Sequence, residues 1–150
     1  DGVLNQVAVK SMLDHGWFQS NPDLAAPFGQ SLLDFPVFSG DTIQFVLMKA
    51  IGVFSSDSAL VENLFFLLTF PLAAATCFAA ARALGVARLG ASVAAILFAL
   101  LPYHFLRGEF HLFIAAYWAV PLGGLLADFG LVRGVHLPRV PPPRRWAVRK

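Results

Sequence analysis

The hydrophobic and polar positions of this chain follow two different patterns, and the change comes near residue 58. Beyond it, apolar residues form three long runs with few interruptions, at residues 59–84, 89–105 and 110–132. A helix needs about 17–25 mostly apolar residues to cross the hydrocarbon core of a bilayer. The sequence therefore predicts three membrane-crossing helices over residues 59–132. The small residues of the second run favour close helix packing.

Residues 1–58 mix apolar positions with polar and turn-forming ones. At the start of the chain, apolar or small residues recur at helical spacing: Leu4, Val7, Ala8, Ser11 and Met12. This spacing predicts a short amphipathic helix that ends near Gly16. Pro22, Pro27 and Pro36 follow within a stretch rich in turn residues. That stretch is predicted to be an irregular loop.

A second amphipathic helix is predicted to begin after Asp41. Gln44 lies three residues further on, as in a capping box, so Asp41 is expected to cap the helix. The predicted apolar face consists of Ile43, Val46, Leu47, Ala50, Ile51 and Phe54. At about thirteen residues the helix is too short to span a bilayer, so we expect it to lie in the membrane interface or to re-enter it. Residues 55–58 end it and are suited to cap the next helix.

The composition strengthens the membrane interpretation. The chain is 57% hydrophobic and 13% charged, whereas soluble domains carry roughly 25% charged residues. Cys77 is the single cysteine, so no disulfide forms within the chain. The predicted fold class is all-α: a fragment of a polytopic membrane protein, with three transmembrane helices preceded by a segment with two short amphipathic helices.

The basic residues predict the orientation of the spans. Eight of the eleven Lys and Arg residues lie near the turn between the first two runs or in the Pro-rich tail, residues 133–150. The positive-inside rule places these regions in the cytoplasm. Residues 1–58, and the loop between the second and third runs, are then extracytoplasmic. The basic tail is also suited to contact anionic membrane lipid.

The loop between the second and third runs is the most unusual stretch in chemical terms. It carries His104, Arg107, Glu109 and His111, and ionisable residues at membrane depth are candidates for function. Arg matches phosphate because its planar fork makes two parallel charge-assisted bonds. We therefore predict that these four residues bind substrate. The structural alternative is snorkelling at the interface, with Arg107 and Glu109 paired.

The acidic residues of the first segment form a second candidate set. Asp1, Asp14, Asp34 and Asp41 have the right type for a general base or for a ligand of a divalent cation. Asp1 and Asp41 are the predicted catalytic residues, although helix capping also explains Asp41. No cofactor is identified beyond a possible divalent cation. The spacing of His104, Glu109 and His111 matches no metal motif, so no metal site is predicted.

Several function classes receive no support from motifs. The chain has no GxxxxGK[ST] phosphate loop, no GxGxxG after a strand and no GxSxG nucleophile elbow. No nucleic-acid partner is expected. A membrane-embedded enzyme, a transporter or flippase component, and a non-catalytic assembly protein all remain open.

The order of short sequence blocks resembles that of one protein family. These blocks are residues 15–17, 21–24, 26–30, 34–36, 40–49, 62–65, 101–109, 111–113 and 120–122. Together they resemble the bacterial members of the glycosyltransferase superfamily with the C-type fold (GT-C). The resemblance covers about residues 1–127 and ends before the tail.

The resemblance implies a function and a setting. Members of this superfamily take sugars from polyprenyl-phosphate carriers, have about a dozen spans and commonly need an acidic residue early in the first outer loop. Asp1 occupies that region here. The expected function is transfer of a carrier-linked sugar to a cell-envelope acceptor, outside the bacterial inner membrane. We interpret the chain as an N-terminal fragment holding half of such a site.

Overall fold

The chain folds almost entirely into helices. A computed structural model describes residues 2–32 and 41–132, and within these ranges it is mostly helical. Three stretches are long and apolar enough to cross a membrane: Ser58–Ala83, Arg88–Arg107 and Leu112–Gly130. The predicted all-α class is therefore confirmed, and the three predicted spans correspond to helical stretches whose length and composition suit membrane crossing. The predicted cytoplasmic tail lies outside the described residues.

The first segment begins with the predicted amphipathic helix. Helix α1 spans Gly2–His15, and Gly16 follows it with a φ of +89°, which glycine adopts without steric cost. The buried face is rotated from the predicted one: Ala8, Val9 and Met12 are buried, whereas Leu4 and Val7 are 45% and 36% exposed. The buried face differs from the predicted one because α1 packs against other helices, and the sequence of α1 alone does not show where those helices lie.

The predicted irregular loop contains a small hairpin. Strands β1, Ser20–Asn21, and β2, Gln30–Ser31, pair antiparallel, with Ser20 opposite Ser31. The Leu32 N–H extends the pairing to the Gln19 carbonyl at 2.8 Å. Strands of two residues are too short to show the alternation that predicts strands. The Ser11 hydroxyl donates to the Ser20 carbonyl and fastens the hairpin to α1.

The second amphipathic helix, α2, spans Thr42–Gly52, close to its predicted bounds. Asp41 stands at the capping position, but its side chain makes no capping hydrogen bond, so the predicted capping role is wrong. Its backbone is not in the extended conformation typical of a cap. The helix buries Phe45 and Met48 and leaves Ile43 and Val46 about half exposed. A Cβ at Gly52 would clash with the Leu13 side chain, so this glycine permits the close approach of α1 and α2.

The first span, helix α3, covers Ser58–Ala83. Asp57 caps it: the carboxylate accepts from the N–H groups of Ala59 at 2.9 Å and Leu60 at 3.3 Å. At the other end Gly85 has a φ of +88°. The Gly85 and Val86 N–H groups bond the Arg82 and Ala81 carbonyls, which is the Schellman pattern. A tight turn therefore leads directly into the second span.

The second span is broken, whereas the sequence predicts one continuous helix over 89–105. Helix α4 covers Arg88–Ala99 and helix α5 covers Pro102–Arg107. Pro102 has no N–H and disfavours helical backbone at Leu101, which has a ψ of 138°. Before the break, α4 buries the small residues Ala91, Ala95 and Ala99, and their spacing allows close approach to α3.

The third predicted span, 110–132, is also interrupted. The structure divides it into the 3₁₀ turn Glu109–His111, helix α6 at Leu112–Ala115, the 3₁₀ turn Tyr117–Ala119 and helix α7 at Val120–Val132. Pro121, at the second position of α7, has no N–H for a helical bond to residue 117. The Tyr117 carbonyl instead accepts from the Val120 N–H in a 3₁₀ turn.

One hydrophobic core joins the first segment to the spans. Phe18 and Phe45 stack with their ring centroids 3.9 Å apart. Val61 and Phe65 from α3, and Leu112 from α6, are buried in the same cluster. The remaining members are Ala8, Val9, Met12, Met48 and Ala116. The first segment is therefore packed against the Ser58 end of α3.

Asp57 precedes α3 and caps it, whereas Asp41 precedes α2 and makes no capping bond. The two residues therefore give a matched test. We expect Asp57→Ala to lower the free energy of unfolding by about 1 kcal/mol, because two N–H groups of α3 lose their acceptor. Asp41→Ala, the control, removes no capping bond and should not lower it. Thermal unfolding in detergent measures both. Equal losses in the two variants would contradict the assignment of the cap to Asp57.

Candidate functional site

The break in the second span leaves carbonyl groups that need new donors. The Phe98 carbonyl would pair with residue 102 in a continuous helix, but that residue is proline, and the carbonyl instead accepts from the Leu101 N–H at 3.4 Å. The Tyr117 hydroxyl donates to the Phe98 carbonyl at 2.7 Å. The Ala99 carbonyl accepts from His104 Nδ1 at 3.2 Å. An unpaired carbonyl is costly where no water is present, so His104 supports the break, and Tyr117 adds a second bond to the Phe98 carbonyl.

His104, a predicted substrate-binding residue, is fully buried. Since a carbonyl only accepts, Nδ1 carries the proton, and Nε2 lies 2.7 Å from the Thr69 hydroxyl. The imidazole ring stacks on Phe70, with the centroids 3.8 Å apart. His104 therefore joins α5 to α3, and neither ring nitrogen is available to a ligand in this arrangement. Its predicted contact with substrate stays a prediction that needs a rearrangement.

Arg107 lies at the surface, unlike His104. Its guanidinium carbon is 5.5 Å from the centre of the Tyr103 ring, a cation–π distance. Among the side chains that the structure describes, no carboxylate forms a salt bridge with Arg107. The Glu109 side chain lies outside the described part, so the alternative pairing of Arg107 with Glu109 stays open. Arg107 remains accessible to an anionic ligand.

The acidic candidates of the first segment divide into three groups. Asp1 and Asp34 lie outside the described residues. Asp14 forms a salt bridge with Lys10 at 2.8 Å; this hydrogen bond, together with the charge attraction, raises the pKa of Lys10. Asp41 is partly buried, and the burial raises the pKa of its carboxyl group. A raised pKa suits a general base, so the catalytic role of Asp41 stays a prediction.

An open cleft forms where α1, the first turns of α3 and the turn Glu109–His111 meet. Its volume is about 260 Å³. The lining residues are Gly2, Val3, Gln6, Ala59, Glu62, Asn63 and Phe110. Phe110 lies between two predicted site residues, Glu109 and His111, and Gly2 adjoins Asp1 in sequence. The structure therefore brings the start of the chain to the predicted loop, as a shared site requires.

Three polar residues of this cleft, Gln6, Glu62 and Asn63, are absent from the predicted site. Glu62 and Asn63 lie in the second turn of α3, within a stretch long and apolar enough to cross a membrane. The sequence feature that could have identified them is their polarity inside a long apolar run, since an ionisable residue in a span is a functional candidate. Asp41 and His104 do not line the cleft.

The described residues hold no group of three His, Cys, Asp or Glu side chains placed to bind a metal ion. Of the residues weighed as zinc ligands, His104 is occupied by Thr69 and Ala99. Asp1, Asp34 and the Glu109 side chain lie outside the described part.

Comparisons with protein-family models, with curated proteins and with solved structures find no match for this chain. The resemblance to the C-type glycosyltransferases therefore stays an expectation from sequence blocks. The geometry of the cleft and of Arg107 is the basis for any assignment of function.

The Thr69–His104 contact predicts coupled stability losses. His104→Ala should cost about 2–5 kcal/mol, because it leaves a cavity beside Phe70 and an unpaired Ala99 carbonyl. Thr69→Val should cost about 1 kcal/mol. Thermal unfolding of the double variant should show less loss than the sum. Thr76→Val, whose hydroxyl bonds the Leu72 and Ala73 carbonyls of its own helix, is the control, and it should add to His104→Ala without coupling.

Asp41 predicts a dependence of stability on pH. Folding raises the pKa of its carboxyl group. Above the folded-state pKa the carboxyl is charged, and burying that charge lowers the stability of the fold. Below the unfolded-state pKa the carboxyl is neutral in both states, and this loss of stability disappears. We expect Asp41→Asn to raise the melting temperature at pH 7 relative to the wild type. The difference should shrink as the pH falls towards 4. A difference that grows on acidification would contradict the burial of this carboxyl group.

Proposed function

We propose that this chain belongs to a membrane-embedded glycosyltransferase. It transfers a sugar from a polyprenyl-phosphate carrier to a cell-envelope acceptor. The observation that carries the proposal is the cleft where α1, the first turns of α3 and the turn Glu109–His111 meet. A carboxylate and two amides line it at one end of three apolar helices. The resemblance of the sequence blocks to the C-type superfamily supports the same reaction.

The proposed orientation places the cleft outside the bacterial inner membrane. Arg82 and Arg88 flank the turn at the opposite end of α3, and the positive-inside rule assigns basic turns to the cytoplasm. The Ser58 end of α3 then faces outward together with residues 1–58. Carrier-linked sugars are a suitable donor on that side because the lipid carrier holds the sugar at the membrane.

The proposed chemistry is a displacement at the anomeric carbon of the carrier-linked sugar. A hydroxyl oxygen of the acceptor forms a bond to this carbon, and the bond from the carbon to the phosphate oxygen breaks. The proton of the hydroxyl passes to a carboxylate, with Asp1 as the first candidate. The polyprenyl phosphate leaves with the bonding electrons, and Arg107 offsets its negative charge.

The test is sugar transfer from a labelled polyprenyl-phosphate sugar, followed in membranes that contain the complete protein. Asp1→Asn should lower the rate by about 10²-fold or more, because it removes the proposed base. Arg107→Ala should lower it by about 10²-fold, because the leaving phosphate loses its cation. Arg82→Ala removes an exposed Arg at the other end of the bundle and is the matched control. Unchanged transfer in both variants would reject these roles.

The same preparation distinguishes the alternatives. A transporter or flippase component would move the carrier lipid across reconstituted vesicles and form no glycosylated product. A non-catalytic assembly protein would do neither. Either result would replace the transferase proposal.

A further inference from the structure

The side chains that line the cleft have a distinctive chemistry. Gln6 and Asn63 contribute amides, Glu62 contributes a carboxylate, and Phe110 contributes a ring that is 78% exposed. We propose that the cleft is a binding site for a single sugar ring, held by Gln6, Glu62 and Asn63 and covered on one face by Phe110.

The polar groups match hydroxyls better than they match phosphate. Each sugar hydroxyl both donates and accepts a hydrogen bond; the amides offer both functions and the carboxylate accepts. A phosphate group would be repelled by Glu62 at close range. Among the described residues that line the cleft there is no Lys or Arg to offset that repulsion. The cleft therefore selects the sugar, while Arg107 lies outside it and is suited to the phosphate.

The apolar part of the lining fits the same ligand. One face of a pyranose ring presents C–H groups, which pack against an aromatic ring through the negative face of its π-system. Phe110 offers such a ring at the edge of the cleft. Gly2 and Ala59, at the cleft wall, have little or no side chain and leave room for a ring.

The position of Glu62 argues that its carboxylate has a role. It lies in the second turn of α3, in a helix long and apolar enough to cross a membrane. A carboxylate in a span is costly and usually faces a polar cavity or pathway. Here it is half-buried and lines the cleft. Glu62 and Asn63 also share the wall with Ala59, one helical turn earlier, so a single face of α3 forms it.

The volume of the cleft limits the ligand to a small one. It is about 260 Å³, below the range of about 300–1,000 Å³ typical of sites for larger ligands. One sugar ring fits this space, whereas most of a polyprenyl chain would extend beyond it. The carrier lipid would therefore lie outside the cleft, along the apolar surface of the spans.

The inference rests on the proposed function for the identity of the sugar as substrate, but binding is measurable without turnover. The probes are methyl hexopyranosides, added to the complete protein in detergent and followed by saturation-transfer NMR. We expect saturable binding to the wild type. Glu62→Leu, and separately Gln6→Leu and Asn63→Leu, should each weaken it by about 3- to 10-fold, the worth of one or two hydrogen bonds.

Variants at the aromatic position and outside the cleft sharpen the test. Phe110→Ala should weaken binding, whereas Phe110→Trp should retain it and give a tryptophan emission that changes with sugar. Gln19→Leu, an amide replacement outside the cleft lining, is the matched control and should bind as the wild type does. Thermal unfolding of each variant confirms that it is folded, and a variant that has lost its fold is replaced by the conservative one: Glu62→Gln, Gln6→Glu or Asn63→Asp.

The outcomes separate this inference from the proposed function. Saturable sugar binding that depends on the cleft residues, in protein that transfers no sugar, would support the site and reject the transferase. Absence of saturable binding, equal binding by all variants, or competition by inorganic phosphate for the same site would overturn the sugar site, even if transfer is observed.

Discussion

The structure depends on the need to pair backbone carbonyls inside an apolar bundle. Pro102 breaks the second span, and in lipid the freed carbonyls have no water to bond. His104 donates to the Ala99 carbonyl, and Tyr117 adds a second donor to the Phe98 carbonyl, which also accepts from the Leu101 N–H. The hydrogen bonds of His104 hold α5 against α3 and α4, and α5 leads directly into the turn Glu109–His111. The break at Pro102 therefore shortly precedes the turn that contributes Phe110 to the cleft.

The hydrophobic core cluster holds the first segment against the spans. Phe45 stacks on Phe18 and joins the cluster that includes Val61, Phe65 and Leu112. Because this cluster reaches the first turns of α3, the start of α1 is positioned beside Glu62 and Asn63. A segment that alone would be an amphipathic surface helix thus becomes one wall of a polar cleft. Hydrophobic burial is non-directional, so the orientation of α1 comes from packing contacts such as Leu13 against Gly52.

The arrangement separates structural from ligand-facing roles among residues of similar chemical type. His104 is buried and both of its ring nitrogens are hydrogen-bonded within the fold, whereas Arg107, three residues later, is exposed. Asp57 caps a helix, Asp14 pairs with Lys10, and Asp41 does neither. Glu62 alone among the described acidic side chains lines the cleft. In the proposed reaction, the cleft binds the sugar, Arg107 meets the phosphate, and the apolar spans face the carrier lipid.

The sequence by itself determined the helical class, the three spans and the bounds of α1 and α2, because length and apolar periodicity are local properties. It also singled out Arg107 and the loop that reaches the cleft. Only the tertiary structure decided that His104 is buried and that α1 turns Ala8, Val9 and Met12 inward. It also decided that Gln6, Glu62, Asn63 and Phe110, which lie far apart in the chain, line one cleft. Such pairings depend on which helices meet, and no local pattern carries that information.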